Sequence, residues 1–261
     1  MRALSIAATG MLAQQTNVEV ISNNIANLNT TGFKRSRAEF QDLLYQSMRR
    51  VGASTGGGGE VVPTGVQVGL GVQTAAVYRI HDQGTLQSTG NPYDLAIKGK
   101  GFFQVLLPNG ETAYTREGAF TLNASGQLVT QDGYQVQPSI TIPSDAVDVA
   151  ISEDGAVLVK QDGQTALSNV GQLDLATFPN ESGLAAHGNN LYLETESSGA
   201  PVTGQANTTG FGSIQQNYLE ASNVNIVSEI TTLITAQRAY EMNSKVIETG
   251  DQMMGTISQM R

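Results

Sequence analysis

LSIAATGMLAQQTNVEVISNNIANLNTTGFK, residues 4–34, carries two interleaved rows of core-type positions. Leu4, Met11, Val18 and Ile25 recur every seven residues, and Ala7, Gln14, Ile21 and Leu28 sit three further on in each repeat. Apolar residues at a and d of about four heptads predict an amphipathic helix with a coiled-coil seam. The pattern stops in Asn27-Leu-Asn-Thr-Thr-Gly32. Asn and Gly there supply left-handed cap conformations, and Thr30 and Thr31 are poor helix-interior residues.

The other end of the chain mirrors this pattern. Ile226, Leu233, Tyr240, Ile247 and Met254 form one row, and Ile230, Gln237, Ser244, Asp251 and Ser258 form its companion. Ser222, Asn223 and Asn225 offer N-cap oxygens, and Glu229 falls in the first turn, where a carboxylate favours the helix dipole. No proline interrupts residues 202–261, so a helix of roughly 34 residues and ~50 Å is expected.

Both seams are mixed. Gln14, Gln237, Ser244 and Asp251 occupy core-type positions, while Val246, Met253, Ile257 and Met260 make a second apolar face. A two-helix coil buries one stripe, and a broader or double stripe calls for more neighbours. Packing against further copies is therefore expected ahead of packing onto one folded body. The residues expected at that interface are Leu4, Met11, Val18, Ile21, Ile25, Leu28, Ile226, Ile230, Leu233, Tyr240, Ile247 and Met254.

Between the ends the period changes. Residues 46–72 contain Gly56-Gly-Gly-Gly59 and further Gly and Pro breaks, and read as an extended connector or long hairpin with short strands near Val61-Val62 and Val66, Val68. Residues 73–220 read as all-β. Asp94–Lys98, Phe102–Leu107, Thr112–Thr115, Phe120–Leu122, Gln127–Val129, Val157–Val159 and Thr165–Leu167 are strand candidates. The turns Pro108-Asn-Gly110, Asn123-Ala-Ser-Gly126, Asp132-Gly133, Asp154-Gly155 and Asp162-Gly163 punctuate them. The expected fold class is α+β: N- and C-terminal helices pairing as a coiled coil (1–32 with 222–261), an extended connector (33–72) and a central all-β domain (73–221).

Composition narrows the chemistry. Of 261 residues 14% are charged and 29 are Gly, with no Cys or Trp, which suits a neutral-polar, turn-rich surface. Residues 51–220 hold five basic and sixteen acidic side chains, an arrangement opposed to binding a phosphate backbone, so no nucleic acid is expected. The one basic run near a turn, Lys34, Arg35 and Arg37, reads as a solvated face or a contact with an acidic neighbour. No stretch is apolar enough to span a membrane, and Ile6–Leu12 is too short and polar for a cleavable signal peptide.

Catalytic and cofactor signals are thin. The two histidines, His81 and His187, stand outside any ligand-spaced motif and read as exposed or hydrogen-bonded loop residues; no metal and no cofactor are expected. Lys98-Gly-Lys-Gly101 has no opening Gly at 94 to make a phosphate loop. Glu153-Asp154 and Asp145 with Asp148 are near neighbours beside turns, unlike carboxylates facing each other across a glycosidase cleft. No enzymatic activity is expected.

Ala26-Asn-Leu-Asn-Thr-Thr-Gly-Phe-Lys34 resembles the signature that closes the N-terminal helix in flagellar rod and hook axial proteins, carried here by Ala26, Asn27, Thr31, Gly32, Phe33 and Lys34. Ile234–Val246 is similar to that family's second signature, through Gln237, Arg238, Ala239 and Tyr240. Tyr93–Phe103 and Ala113–Phe120 resemble the family's β-domain. The chain leaves no room for the extra outer domain of hook subunits, and Gly188–Leu193, Ser197–Pro201 and the 46–72 connector look most like the distal-rod branch; the tetraglycine departs from the pattern.

The resemblance implies a structural subunit of a hollow helical tube, its terminal helices lining the inner wall. It implies export through the flagellar type III apparatus without a cleaved signal peptide, and a place in the periplasm-spanning rod. The implied partners are further copies of itself, proximal rod proteins, the hook protein, peptidoglycan-associated and outer-membrane ring proteins, and a rod cap, with no membrane insertion. Competing expectations are a β-domain-bearing proximal rod or hook-type subunit, a β-rich adhesin or phage-tail module, and a cell-wall hydrolase.

Overall fold

The computed structural model describes residues 2–49, 65–162 and 166–259, which fall into two compact units. The tetraglycine, Val61-Val62, Gly163, Thr165 and Met260 lie outside the described residues.

The first unit gathers residues 1–25, 36–78 and 225–261. It holds helix α1, Arg2–Ala26, and helix α2, Ile226–Gln259. α1 ends one residue before the Asn27–Gly32 segment, whose turn closes with Thr30 N donating to the Asn27 carbonyl at 3.2 Å. At the start of α2, Asn225 Oδ1 accepts from Val227 N and Ser228 N at 3.1 and 3.2 Å, the bonding of an N-cap. Strand Ser36–Asp42 pairs with Val72–Arg79, and Tyr45–Arg49 pairs antiparallel with Val66–Gly69. Among the described residues, the buried apolar side chains of this unit are Ala7, Ala13, Ile21 and Ala236. They are too few and too small to make a core.

The second unit, residues 26–35 and 79–224, is β-rich and has a core of its own. Its largest sheet runs, in order, Ala185–Gly188, Leu191–Leu193, Thr112–Thr115, Phe103–Leu106, Gln135–Gln137, Leu128–Val129 and Thr121–Leu122, with each neighbour antiparallel. Ala146–Ile151, Ala156–Gln161 and Ser168–Gln172 form a second sheet. Leu95, Ile97, Phe103, Phe120, Val157 and Leu175, each at most 1% exposed, pack in the main cluster between the sheets.

The expected turns in this unit hold their strands. Gly110, Gly126, Gly133 and Gly155 all take positive φ, and Asn123 Oδ1 accepts from Ser125 N and Gln127 N at 2.9 Å each. Asn189 and Asn190 also take positive φ, 49° and 56°, at the centre of the hairpin joining Ala185–Gly188 to Leu191–Leu193, the conformation a two-residue turn demands. One strand expectation is corrected: Ala166 and Leu167 are not in a strand, and the pairing strand starts at Ser168. Strands Ala146–Ile151 and Asp174–Thr177 were not expected, because their charged or short apolar runs lack a clear alternation.

Candidate functional site

Two places in the molecule gather the residues singled out by their patterning. The first, within the β-rich unit, is the segment Thr31–Lys34. Gly32 sits at φ +68°, and a Cβ there would come within 2.7 Å of the Glu117 amide nitrogen. Only glycine meets both demands, left-handed backbone and close approach of two chains. Gly32 N donates to the Glu220 carbonyl at 2.8 Å, and Asn190 Nδ2 bridges the Thr31 carbonyl and Glu117 Oε2 at 3.1 and 2.9 Å. Phe33 is buried behind it.

Lys34 is the centre of this place. Its side chain is 0% exposed, and Nζ donates to Glu220 Oε1 at 2.6 Å and to the Asp82 carbonyl at 2.7 Å. Gly84 N donates to the same Glu220 oxygen at 2.8 Å, and Arg116 Nε lies 3.3 Å from Oε2. Arg116, 4% exposed, spends its two terminal nitrogens on the Gly101 and Gly99 carbonyls at 2.8 Å each. One buried carboxylate thus serves two buried cations. Burial pushes Lys34 below the ordinary lysine range, Arg116 adds to that, and Glu220 opposes both.

Three expectations change here. Lys34, Arg35 and Arg37 do not form one basic face: Lys34 is inside the unit and Arg37 is exposed, because the run alternates sides as it enters a strand. The Lys98–Gly101 loop presents the Gly99 and Gly101 carbonyls to a guanidinium, the reverse of a phosphate cradle. His81 is neither exposed nor hydrogen-bonded through Nδ1: its ring lies edge-on to Phe102 and Tyr192 at 5.5 and 5.3 Å, and Nδ1 is buried without a partner. Burial first, then Lys34, Arg116 and Arg79, lower its pKa to about 3, so it is neutral at physiological pH. His187 is exposed.

The second place is the helix pair of the first unit. A Cβ on Gly250 would meet Leu4 Cδ2 at 2.8 Å, and one on Gly10 would meet Asn243 Nδ2 at 2.8 Å. Asn24 Nδ2 reaches Glu229 Oε2 at 3.2 Å and the Ser36 carbonyl at 2.8 Å, while Ser36 N donates to Asn24 Oδ1 at 2.9 Å. Contacts that descend along α2 as they climb along α1 make the pair antiparallel. On α1 the most buried positions, Ala7, Ala13, Ile21 and Asn24, include two of the expected row, and Leu4, Met11, Val18 and Ile25 are half-buried; Leu28, also half-buried, falls in the turn past the end of the helix.

On α2 the expected companion row is corrected. Ile230, Gln237, Ser244 and Asp251 are exposed, and the covered row is one residue earlier: Glu229, Ala236, Asn243 and Gly250. Small side chains let the helices approach, so size selects the row where apolarity alone does not. Leu233, Ile247 and Met254 are half-buried beside it, whereas Ile226 and Tyr240 are 42% and 44% exposed. Gln237 and Arg238 of the second signature are exposed, and Ala239 is half-buried. Across both helices, Leu12, Ile226, Val227, Ile230, Ile234, Tyr240, Met242, Val246 and Met253 are left open.

Glu220 and Asn24 have no sequence signal of their own, and Arg116 and Asn190 lie inside stretches that carry the resemblance without standing out in them. Among the described residues no group of His, Asp and Glu is placed to hold a metal ion, and no helix is long and apolar enough to cross a membrane.

Known proteins resemble the chain along its whole length. The model for flagella basal body rod proteins matches residues 4–34, that for the flagellar hook protein FlgE/F/G D1 domain matches 96–159, and that for the flagellar basal body rod FlgEFG protein C-terminal region matches 215–260. The flagellar basal-body rod protein FlgG of Caulobacter vibrioides is 62% identical over 261 residues, 100% of each chain. FlgG of Agrobacterium fabrum is 55% identical, covering 99% of this chain and 98% of its own. FlgG of Buchnera aphidicola subsp. Schizaphis graminum is 48% identical, covering 98% of each. A solved structure, the Helicobacter pylori hook protein FlgE2, aligns at 15% identity and a TM-score of 0.26 over 72% of this chain and 43% of its own.

Proposed function

The chain belongs to the family of flagellar basal-body rod proteins named FlgG, a structural and non-enzymatic family of the flagellar basal body, and from that premise we propose that sister copies complete its fold. The copies form a hollow helical tube, the distal segment of the rod, which carries torque from the motor to the hook. In it the two terminal helices act as a coiled coil whose outward face is covered by neighbouring subunits. Proximal rod proteins and the hook protein meet its two ends. The peptidoglycan-associated and outer-membrane rings surround it, a rod cap assists its growth, and the flagellar type III apparatus delivers the chain without cleaving a signal peptide.

One observation carries this reading. The helical unit has no apolar core among its described residues, yet nine large apolar side chains lie open on its helices. Covering one Leu- or Ile-sized side chain is worth roughly 1.5–3 kcal/mol, and ordering a residue costs ~1–2 kcal/mol. Helices that bury so little on their own are marginal in a free monomer and stable between neighbours.

The test is Ile230→Asp with Ile234→Asp. Polymer formation, read by sedimentation and electron microscopy, is expected to fail while the near-ultraviolet circular dichroism of the β-rich unit stays unchanged. Helical reconstruction of wild-type assemblies is expected to give a tube with both helices at its inner wall. Wild-type polymerisation by the double variant, or a closed oligomer in the reconstruction, overturns the proposal. So does a dilute monomer whose terminal helices are fully formed by far-ultraviolet circular dichroism.

A further inference from the structure

Pro108-Asn-Gly110 holds the one Asn-Gly step of the sequence, at the tip of the hairpin joining Phe103–Leu106 to Thr112–Thr115. Leu107 N donates to the Glu111 carbonyl at 2.9 Å and Gly110 N to the Leu107 carbonyl at 3.0 Å, which closes a short loop. Proline presets the first loop position, and Gly110, at φ +86°, takes the left-handed position that ends such loops. Residues 108–111 are all exposed, and a Cβ on Gly110 would meet nothing within 4 Å. The tip stands in solvent.

Glu111 holds the Asn109 carboxamide at both ends. Its backbone N donates to Asn109 Oδ1 at 3.0 Å, and its Oε2 accepts from Asn109 Nδ2 at 2.7 Å. Asparagine before glycine is the pairing most open to self-attack, because no Cβ on the next residue hinders its amide nitrogen from reaching Cγ. In that step Gly110 N loses its proton to a base in solution and bonds to Asn109 Cγ. The Cγ–Nδ2 bond breaks, and Nδ2 takes up a proton and leaves as ammonia. Water then opens the cyclic imide at either carbonyl, giving aspartate or isoaspartate.

We propose that Asn109 is a site of this spontaneous modification and that Glu111 sets its rate by holding the amide form. The turn opposes the step in several ways. The Gly110 N–H is spent on the Leu107 carbonyl, a bond that must break before the nitrogen attacks. Ionised Glu111 is an acceptor only, so it offers Nδ2 no proton for departure. Its negative charge also disfavours a deprotonated Gly110 amide and an oxyanion at Cγ. The two bonds to Glu111 restrain the carboxamide, whose Cγ has to meet the nitrogen in a near-attack geometry. Conversion removes the Nδ2 donor and sets a second carboxylate against Glu111, and the isoaspartyl product adds a main-chain carbon to the loop. The hairpin end so loosened carries Leu107, which packs with Ala113 and Leu191. The site lies in the β-rich unit, so the inference does not depend on polymer formation.

The experiment incubates full-length protein at neutral pH beside the blocked peptide of residues 107–112. Peptide mass mapping follows each asparagine, with isoaspartyl products separated by chromatography. Asn109 is expected to convert ahead of the other asparagines of the β-rich unit, yet ~10-fold more slowly than in the peptide. Glu111→Ala is expected to raise the rate ~5-fold while the near-ultraviolet circular dichroism stays unchanged. Glu111→Gln keeps an acceptor for Nδ2 without the charge, and its rate is expected to fall between wild type and Glu111→Ala. Conversion as fast in the folded protein as in the peptide overturns the inference. So does a Glu111→Ala rate equal to wild type, a Glu111→Gln rate above that of Glu111→Ala, or earlier conversion at another asparagine of the unit.

Discussion

Replacing Glu220 by Gln removes one charge and strands two. In the native unit Oε1 accepts from Lys34 Nζ at 2.6 Å and from Gly84 N at 2.8 Å, and Oε2 faces Arg116 Nε at 3.3 Å. Glutamine keeps one acceptor. If its oxygen stays with Lys34, its NH2 group confronts the guanidinium, and the reverse flip confronts the ammonium. Exposure of 0% for Lys34 and 4% for Arg116 leaves water little access to repair the loss. Removing one partner of a buried ion pair costs roughly 3–5 kcal/mol. At about 2–4 °C per kcal/mol for a unit of this size, the melting temperature should fall by about 6–20 °C. Lys34→Met alone should cost less, about 1–3 kcal/mol, since Glu220 keeps Arg116 and the main loss is the bond to the Asp82 carbonyl. The double variant should then be less damaged than the sum of the two by about 1–3 kcal/mol, because the second change removes a cation already stranded. Urea unfolding of the three variants, followed by near-ultraviolet circular dichroism of the tyrosines, measures the cycle. A loss under about 1 kcal/mol for Glu220→Gln, or additivity within ~0.5 kcal/mol, refutes the shared-carboxylate account.

Other outcomes follow from the same geometry. His81 has a folded pKa lowered from 6.5 to about 3, so the folded state resists its protonation; stability is full above the unfolded value and declines as pH falls from 6.5 towards 3. His81→Phe should flatten that limb of the stability–pH curve by a few kcal/mol, on the order of 3–5, and an unchanged limb in urea titrations at pH 4 and 7 speaks against a buried neutral imidazole. Gly32→Ala should destabilise the β-rich unit by roughly 2–4 kcal/mol, since it adds left-handed strain to a clash with the Glu117 backbone; a melting temperature equal to wild type contradicts the close approach. Asn24→Ala should cost about 1–3 kcal/mol locally and speed hydrogen exchange of the Ser36 amide, with unaltered exchange counting against the bond between them.

Periodicity made the outline of the molecule legible. Seven-residue spacing announced both helices, and the turns at Gly110, Gly126, Gly133 and Gly155 marked hairpins that the structure keeps. Those signals are local, decided by neighbours within a turn or two. The Lys34–Glu220 pair is not local: its partners are 186 residues apart, and nothing in either neighbourhood says that a lysine beside two arginines will be the one taken inside. His81 was illegible for the same reason, since its burial depends on Phe102 and Tyr192 arriving from segments far apart in the chain.

The α2 seam failed in a more instructive way. Heptad spacing puts Ile230 at the head of a companion row that continues through Gln237, Ser244 and Asp251, yet the helix buries Ala236 and Gly250 and leaves Ile230 and Ile234 open. A pair of helices held by small residues can approach closely but gains little from burial, because alanine and glycine have little apolar area to hide. The larger side chains that would repay the ordering of the chain are those left facing outward. The large apolar side chains on α2 that the helix pair leaves exposed, Ile230 and Ile234 among them, are the ones with the most apolar area to hide, and the expectation that further copies cover such residues rests on that exposure.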